Sequence, residues 1–245
     1  MKPRRLSLRR RSQAGVTLVE LLVAIIIFGI VSSLLVTAWI NLQRTSVFAM
    51  QSDNAQGNAR DALTRMSTEI RDAQPQTMPT ASPSPSPTWD VLTLAQPTEV
   101  DFYSAYNQPG ANADGSGTAA LRLTRLYLDT SGSSPQKNLM WQRDTNNNGT
   151  FDGSDRTIVL ARNVVNNSIQ NTSVTPNTTY TAIFTYGYRA ADGSYSTTDN
   201  SGSTNLDLTT VISVQIRLIT DVNLSHTPKY DDLSTTVRPR ISSAI

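Results

Sequence analysis

Cysteine is absent from the 245 residues, and histidine occurs once, at His226. Disulfides, thiolate metal sites, iron–sulfur clusters and cysteine nucleophiles are therefore excluded. Multi-histidine metal centres are excluded too, and little remains for a histidine-based triad. Charge is sparse at 16% and unevenly placed. Residues 1–15 hold six basic side chains (Lys2, Arg4, Arg5, Arg9, Arg10 and Arg11) and no acidic one, while the remaining 230 residues hold 15 basic and 19 acidic. The pI near 9.0 thus belongs to a short leader and not to a basic folded face for nucleic acid. No basic run interleaved with aromatics occurs elsewhere, so nucleic acid is not an expected partner. The glycine-rich stretch Asp114-Gly115-Ser116-Gly117 lacks the strand-to-helix setting of a phosphate loop. Lys137, Lys229 and His226 have no nucleophile pattern beside them. This inventory points away from an enzyme.

What is present is a concentrated apolar run. Of the 27 residues from Val16 to Leu42, 20 are apolar, and Leu21 to Ile40 carries no charge. Twenty helical residues rise about 30 Å, the thickness of the hydrocarbon core of a bilayer. A secretory h-region is shorter, about 7–15 residues, and is followed by a small-residue cleavage site. Here the small pair Ala14-Gly15 precedes the apolar run instead. With the basic flank on the N-terminal side, the positive-inside rule places residues 1–15 in the cytoplasm and the bulk of the chain outside.

Glu20 lies inside this run, in Ala14-Gly15-Val16-Thr17-Leu18-Val19-Glu20-Leu21-Leu22. A carboxylate in a spanning segment is costly and usually marks function. These residues, after the basic leader, resemble the class III signal of type IV pilins and pseudopilins. The resemblance implies cleavage after Gly15 by a membrane prepilin peptidase and methylation of the new N-terminus on Val16. The family more often has Phe or Met at that first position. The resemblance also implies that Glu20 faces the cationic amine of Val16 on a neighbouring subunit during assembly. Each charge is expensive alone in an apolar bundle and tolerable when paired. Other pilins or pseudopilins and an inner-membrane assembly platform are then the expected partners. The expected location is the bacterial cytoplasmic membrane, then a filament with its head extracytoplasmic.

Ala55, Ala59, Leu63, Met66, Ile70 and Ala73 recur at spacings of 4, 4, 3, 4 and 3, one face of a continuing helix. Asp53, Arg60, Asp61, Arg65, Glu69, Arg71 and Asp72 are expected on its surface, and Pro75 supplies the stop. Gly29, Ser32-Ser33 and Gly57 are points where that helix could bend. Residues 75–89 alternate Ser and Pro and read as a semi-extended surface loop. From Asp90 the period falls to 2, giving candidate strands at 90–95, 99–106, 119–129, 138–143, 157–164, 180–189, 208–220 and 233–238. Leu121 and Leu123 alternate out of phase with Leu126 and Leu128, which suggests a β-bulge at Thr124-Arg125. Loops 107–118, 130–137 and 190–207 are expected to be long and mobile. The expected fold is α+β and pilin-like: a long N-terminal helix packed on an antiparallel sheet. Its parts are a leader (1–15), a transmembrane or filament-core helix (16–42), an amphipathic helix (43–74), the Ser/Pro loop (75–89) and a β-rich head (90–245).

Within that superfamily the head resembles minor pilins of the PilW or GspJ/PulJ type. The stretches that carry this are Leu139 to Asp144, Phe184 to Tyr188 ahead of Asp192-Gly193, and Ser234 to Arg240. Separately, Asp144 to Asp155 fits the spacing of a calcium loop. Asp144, Asn146, Asn148, Asp152 and Asp155 offer side-chain oxygens at positions 1, 3, 5, 9 and 12, Gly149 allows the turn, and Thr150 offers a carbonyl. Asp155 stands where Glu is usual, as in the dockerin-type loops it resembles. A hairpin of polar turns without metal explains the same residues. The sequence therefore reads as a minor pilin or pseudopilin of a type IV pilus or type II secretion pseudopilus, requiring no cofactor, with Ca²⁺ as a possible ligand. The alternative is a membrane-tethered, calcium-binding adhesion module that does not polymerise.

Overall fold

Helix α1 covers Leu18–Arg71, 54 residues, a length of about 81 Å at 1.5 Å per residue. The computed structural model describes residues 16–74, 91–104, 121–168, 180–201, 206–224 and 230–239. Gly15, the 75–89 segment, the 107–118 loop, Lys229 and His226 lie outside the described residues. The chain forms two compact units, Met1–Ala49 and Met50–Ile245. Helical hydrogen bonding passes through Gly29, Ser32-Ser33 and Gly57 without a break. Ser33 and Thr37 donate their hydroxyls to the carbonyls of Ile30 and Ser33, so neither side chain demands an outside partner. At the other end Ala73 pairs with Ser104 and Gln74 N–H donates to Tyr103 O, which converts the chain from helix to extended strand.

Nine strands follow: β1 (Leu92–Ala95), β2 (Glu99–Ser104), β3 (Arg122–Asp129), β4 (Lys137–Arg143), β5 (Arg156–Val164), β6 (Phe184–Arg189), β7 (Tyr195–Thr198), β8 (Val211–Thr220) and β9 (Asp231–Val237). They form one antiparallel sheet in the order β1-β2-β3-β4-β5-β8-β6-β7, with β9 on the other edge of β8. The second half of α1 packs on this sheet. Met66, Ile70 and Ala73 are wholly buried in a single core with Val100, Phe102, Leu126, Leu139, Ile216 and Leu218, and Ala59 is wholly buried too. The expected apolar stripe is the buried face, and full burial of side chains the size of Met66 or Ile70 contributes about 1.5–3 kcal/mol each.

Four expectations are corrected. Strand β3 pairs with β2 and β4 in unbroken register, so there is no bulge at Thr124-Arg125. The phase of its leucines misleads because a polar residue, Thr124, takes the core-side position that an apolar one would mark, while Leu123 faces the opposite side. Bulges occur elsewhere: one register shift in the β1–β2 pairing, two in the β4–β5 pairing and one between β6 and β8. At the latter, Ile212 is the extra residue, so Val211 is buried in its place. Loop 130–137 is tied down by Lys137, whose ammonium donates to the carbonyls of Thr130, Ser131 and Gly132. Loop 190–207 contains β7, and Glu69, expected at the surface, is buried.

The two halves of the sheet meet on one edge of β8, which pairs with β6 along 211–216 and with β5 only through Val164 and Thr220. Asn163 adopts φ 58° at the end of β5, and the chain turns into a 3-10 turn at Asn166–Ser168. Asn166, wholly buried, fills the gap: its Oδ1 accepts Ile219 N–H at 2.8 Å and its Nδ2 donates to Arg217 O at 2.9 Å. A side-chain amide thus supplies the two bonds a neighbouring strand would make.

Candidate functional site

The N-terminal site is built by the start of α1. Thr17 is the N-cap: its carbonyl accepts the first helical bond from Leu21 N–H at 3.2 Å, and its hydroxyl oxygen accepts from Glu20 N–H at 3.3 Å. Glu20 reaches back, its Oε2 accepting the Thr17 N–H at 3.0 Å and the Thr17 hydroxyl at 3.1 Å. This reciprocal T-x-x-E arrangement is a capping box, and the Glu20 charge also sits at the positive end of the helix dipole. Val16 lies before the helix and is 74% exposed. Of the sequence-expected residues, the structure thus brings Glu20 next to Thr17, one residue from Val16. The cap was readable in the sequence as Thr followed three residues later by Glu.

From Leu18 to Val47 the large apolar side chains point outward, among them Leu18 at 80% and Phe28 at 73% exposure. Within α1 an 18-residue window of mean hydropathy 2.8, none of it buried, is long and apolar enough to cross a membrane. A helix that is apolar all round needs lipid or other helices about it.

A family model described as the prokaryotic N-terminal methylation motif matches residues 10–36. No curated protein matches the chain. The matched segment holds the last two basic residues of the leader, Arg10 and Arg11, with the Gly15–Val16 junction, the capping box and most of the apolar run. It marks the chain as a prepilin-type substrate of type IV pilus or secretion systems, anchored by its N-terminal helix. With the α+β head, the arrangement is pilin-like.

The 144–155 loop closes on itself. Asp144 accepts the N–H groups of Asn147 and Gly149 at 2.6 and 2.8 Å. Asp155 accepts those of Thr145 and Asp152 at 3.0 and 2.8 Å. Asp152 accepts from Ser154, Asn146 and Asn148. Gly149 and Asn147 supply the positive φ values of 76° and 61° that the reversals require. Phe151 anchors the loop by stacking on Arg125, 4.2 Å from the guanidinium to the ring centroid. Among the described residues, no three His, Cys, Asp or Glu side chains come together as a metal-holding group. The expected calcium donors share one loop, but their oxygens close backbone turns.

One buried constellation escaped the sequence reading. Glu69 on α1 accepts from Arg143 on β4 at 2.8 Å, both side chains being almost fully buried. Arg143 Nε donates to Thr124 Oγ1, Arg65 also reaches Glu69, and both guanidinium groups lie over Trp141 at 4.8 and 4.9 Å. Burial pulls the Arg143 guanidinium below its ordinary value, and Glu69 opposes that shift. The cluster fixes how α1 seats on the sheet.

Proposed function

We propose that this chain is a minor subunit of a type IV pilus or of a type II secretion pseudopilus, working by assembly and without catalysis. The observation that carries the reading is the methylation motif over residues 10–36 on a helix whose N-terminal apolar run is exposed, with Glu20 in its first turn. In this mechanism the span holds the precursor in the cytoplasmic membrane with its leader inside. Cleavage after Gly15 frees the Val16 amine, which is then methylated. Glu20 exchanges its contact with Thr17 for the cationic amine of a neighbouring subunit and so sets the register of the packed helices. The minor-subunit assignment, and the likeness of the head to the PilW or GspJ/PulJ type, rest on the sequence stretches at 139–144, 184–188 and 234–240. In that role the head caps, primes or decorates the filament.

The mass of the N-terminus in protein from native membranes tests processing. The expected result is a chain beginning at methylated Val16; an intact leader in cells with active peptidase overturns the reading and favours a tethered module. Glu20→Ala is expected to abolish incorporation into filaments while the melting of the head is unchanged. No cofactor is required in this reading. Ca²⁺ is the ligand that Asp144, Asp152 and Asp155 would take, and thermal melts in millimolar CaCl₂ against chelator decide it. A rise in Tm that Asp155→Asn removes supports the site, and identical melts leave a self-bonded turn.

A further inference from the structure

A bond inside an α-helix is a poor peptidase substrate, because its N–H and C=O are engaged in i to i−4 bonds and its backbone is not extended. Where the helix starts therefore matters for the junction between Gly15 and Val16. Three bonds fix the start at Leu18: the Thr17 hydroxyl with Glu20 N–H, and Glu20 Oε2 with the Thr17 N–H and hydroxyl. Val16 and Leu21 stand at the two positions flanking the box where apolar residues commonly pair as a staple. Upstream, Gly15 is the nearest other residue of the cap-forming type. A helix begun there would take in Val16 and engage the Gly15 carbonyl of the junction in the first helical bond.

Resting on the prepilin reading, we infer that Thr17 is a specificity-determining residue for leader removal: it ends the helix at Leu18 and leaves Val16 outside it for the peptidase. This role is separate from the charge of Glu20. It belongs to the hydroxyl oxygen as a cap acceptor, so Ser and Asp can replace Thr17, whereas Ala, the best helix former and a poor cap, cannot.

The test uses the full-length precursor in detergent micelles with purified prepilin peptidase, following the cleaved fraction by mass spectrometry. Thr17→Ala is expected to lower the specificity constant about five-fold, the factor one lost N-cap implies. Thr17→Ser and Thr17→Asp are expected to stay near the parent rate. In the Ala variant, the backbone chemical shifts of residues 16 and 17 are expected to move toward helical values, while the thermal melting of the head is unchanged. Equal rates for the parent and the Ala variant overturn the inference, as does an Asp variant as slow as Ala. A parent chain that the peptidase leaves intact sinks the prepilin reading itself and this inference with it.

Discussion

At the scale of single residues, Glu69 and Arg143 are bound to one another's fate. Each is charged and buried, and they pair at 2.8 Å, the shortest contact the Glu69 carboxylate makes among the described residues. Arg143→Met leaves a buried carboxylate with only the longer contact to Arg65, and a loss of about 3–5 kcal/mol is expected in urea unfolding. Replacing Glu69 by Leu in the same chain should restore much of that loss, since an apolar pair of similar volume avoids the desolvation cost. Nothing near Glu69 in sequence announces this. Arg65 and Glu69, four residues apart, read as an ordinary surface pair, and the partner that buries Glu69 comes 74 residues later. Glu20 was legible for the opposite reason. Its capping partner lies three residues away, and its apolar surroundings are contiguous in the chain.

At the scale of elements, β8 carries the design of the sheet. Its edge is shared between β5 and β6, and Asn166 fills the place where neither strand reaches. Asn166→Leu keeps the volume and removes both hydrogen bonds, stranding Arg217 O and Ile219 N–H in the interior. Each orphaned group costs about 1–3 kcal/mol, so a loss of several kcal/mol with an unchanged denaturant slope is expected. Period-2 alternation made most strands legible, because each has one buried face. It missed β7, a four-residue edge strand with an exposed-and-intermediate pattern and no apolar face to betray it. Its tyrosine, Tyr195, reaches across β6 to Ser213 at 3.1 Å, over Gly187, where a Cβ would strike both hydroxyls. That glycine is a close-approach residue, a property that alternation does not encode. Bulges were illegible because they depend on which residue of the partner strand stands opposite.

At the scale of the molecule, many polar loops share a small device. Asp129, Asp152 and Asp192 each accept the backbone N–H of the Ser two residues on, and the hydroxyl bonds of those serines also hold their carboxyls below the ordinary aspartate value. A depressed folded pKa gives stability that is present above the unfolded value and lost as pH falls through the folded one. These turns are therefore expected to give up a modest part of the head's stability below about pH 4, the ordinary carboxylate range. Glu99 and Asp101, pushed up chiefly by burial beside Arg125, act in the opposite sense: the stability they give is present below the unfolded values and is lost as pH rises through the folded ones. Asp192→Asn should flatten the acid limb of Tm against pH, and an unchanged limb would remove these turns from the explanation. The amide of Asn166 has a consequence of another kind. Its Nδ2 protons are enclosed and bonded to Arg217 O, so they should give a resolved, slowly exchanging nitrogen-15 signal, unlike the averaged amides of surface asparagines. Selectively labelled asparagine would then report, from one side-chain resonance, whether the head stays closed after the subunit has entered a filament too large for ordinary solution spectra.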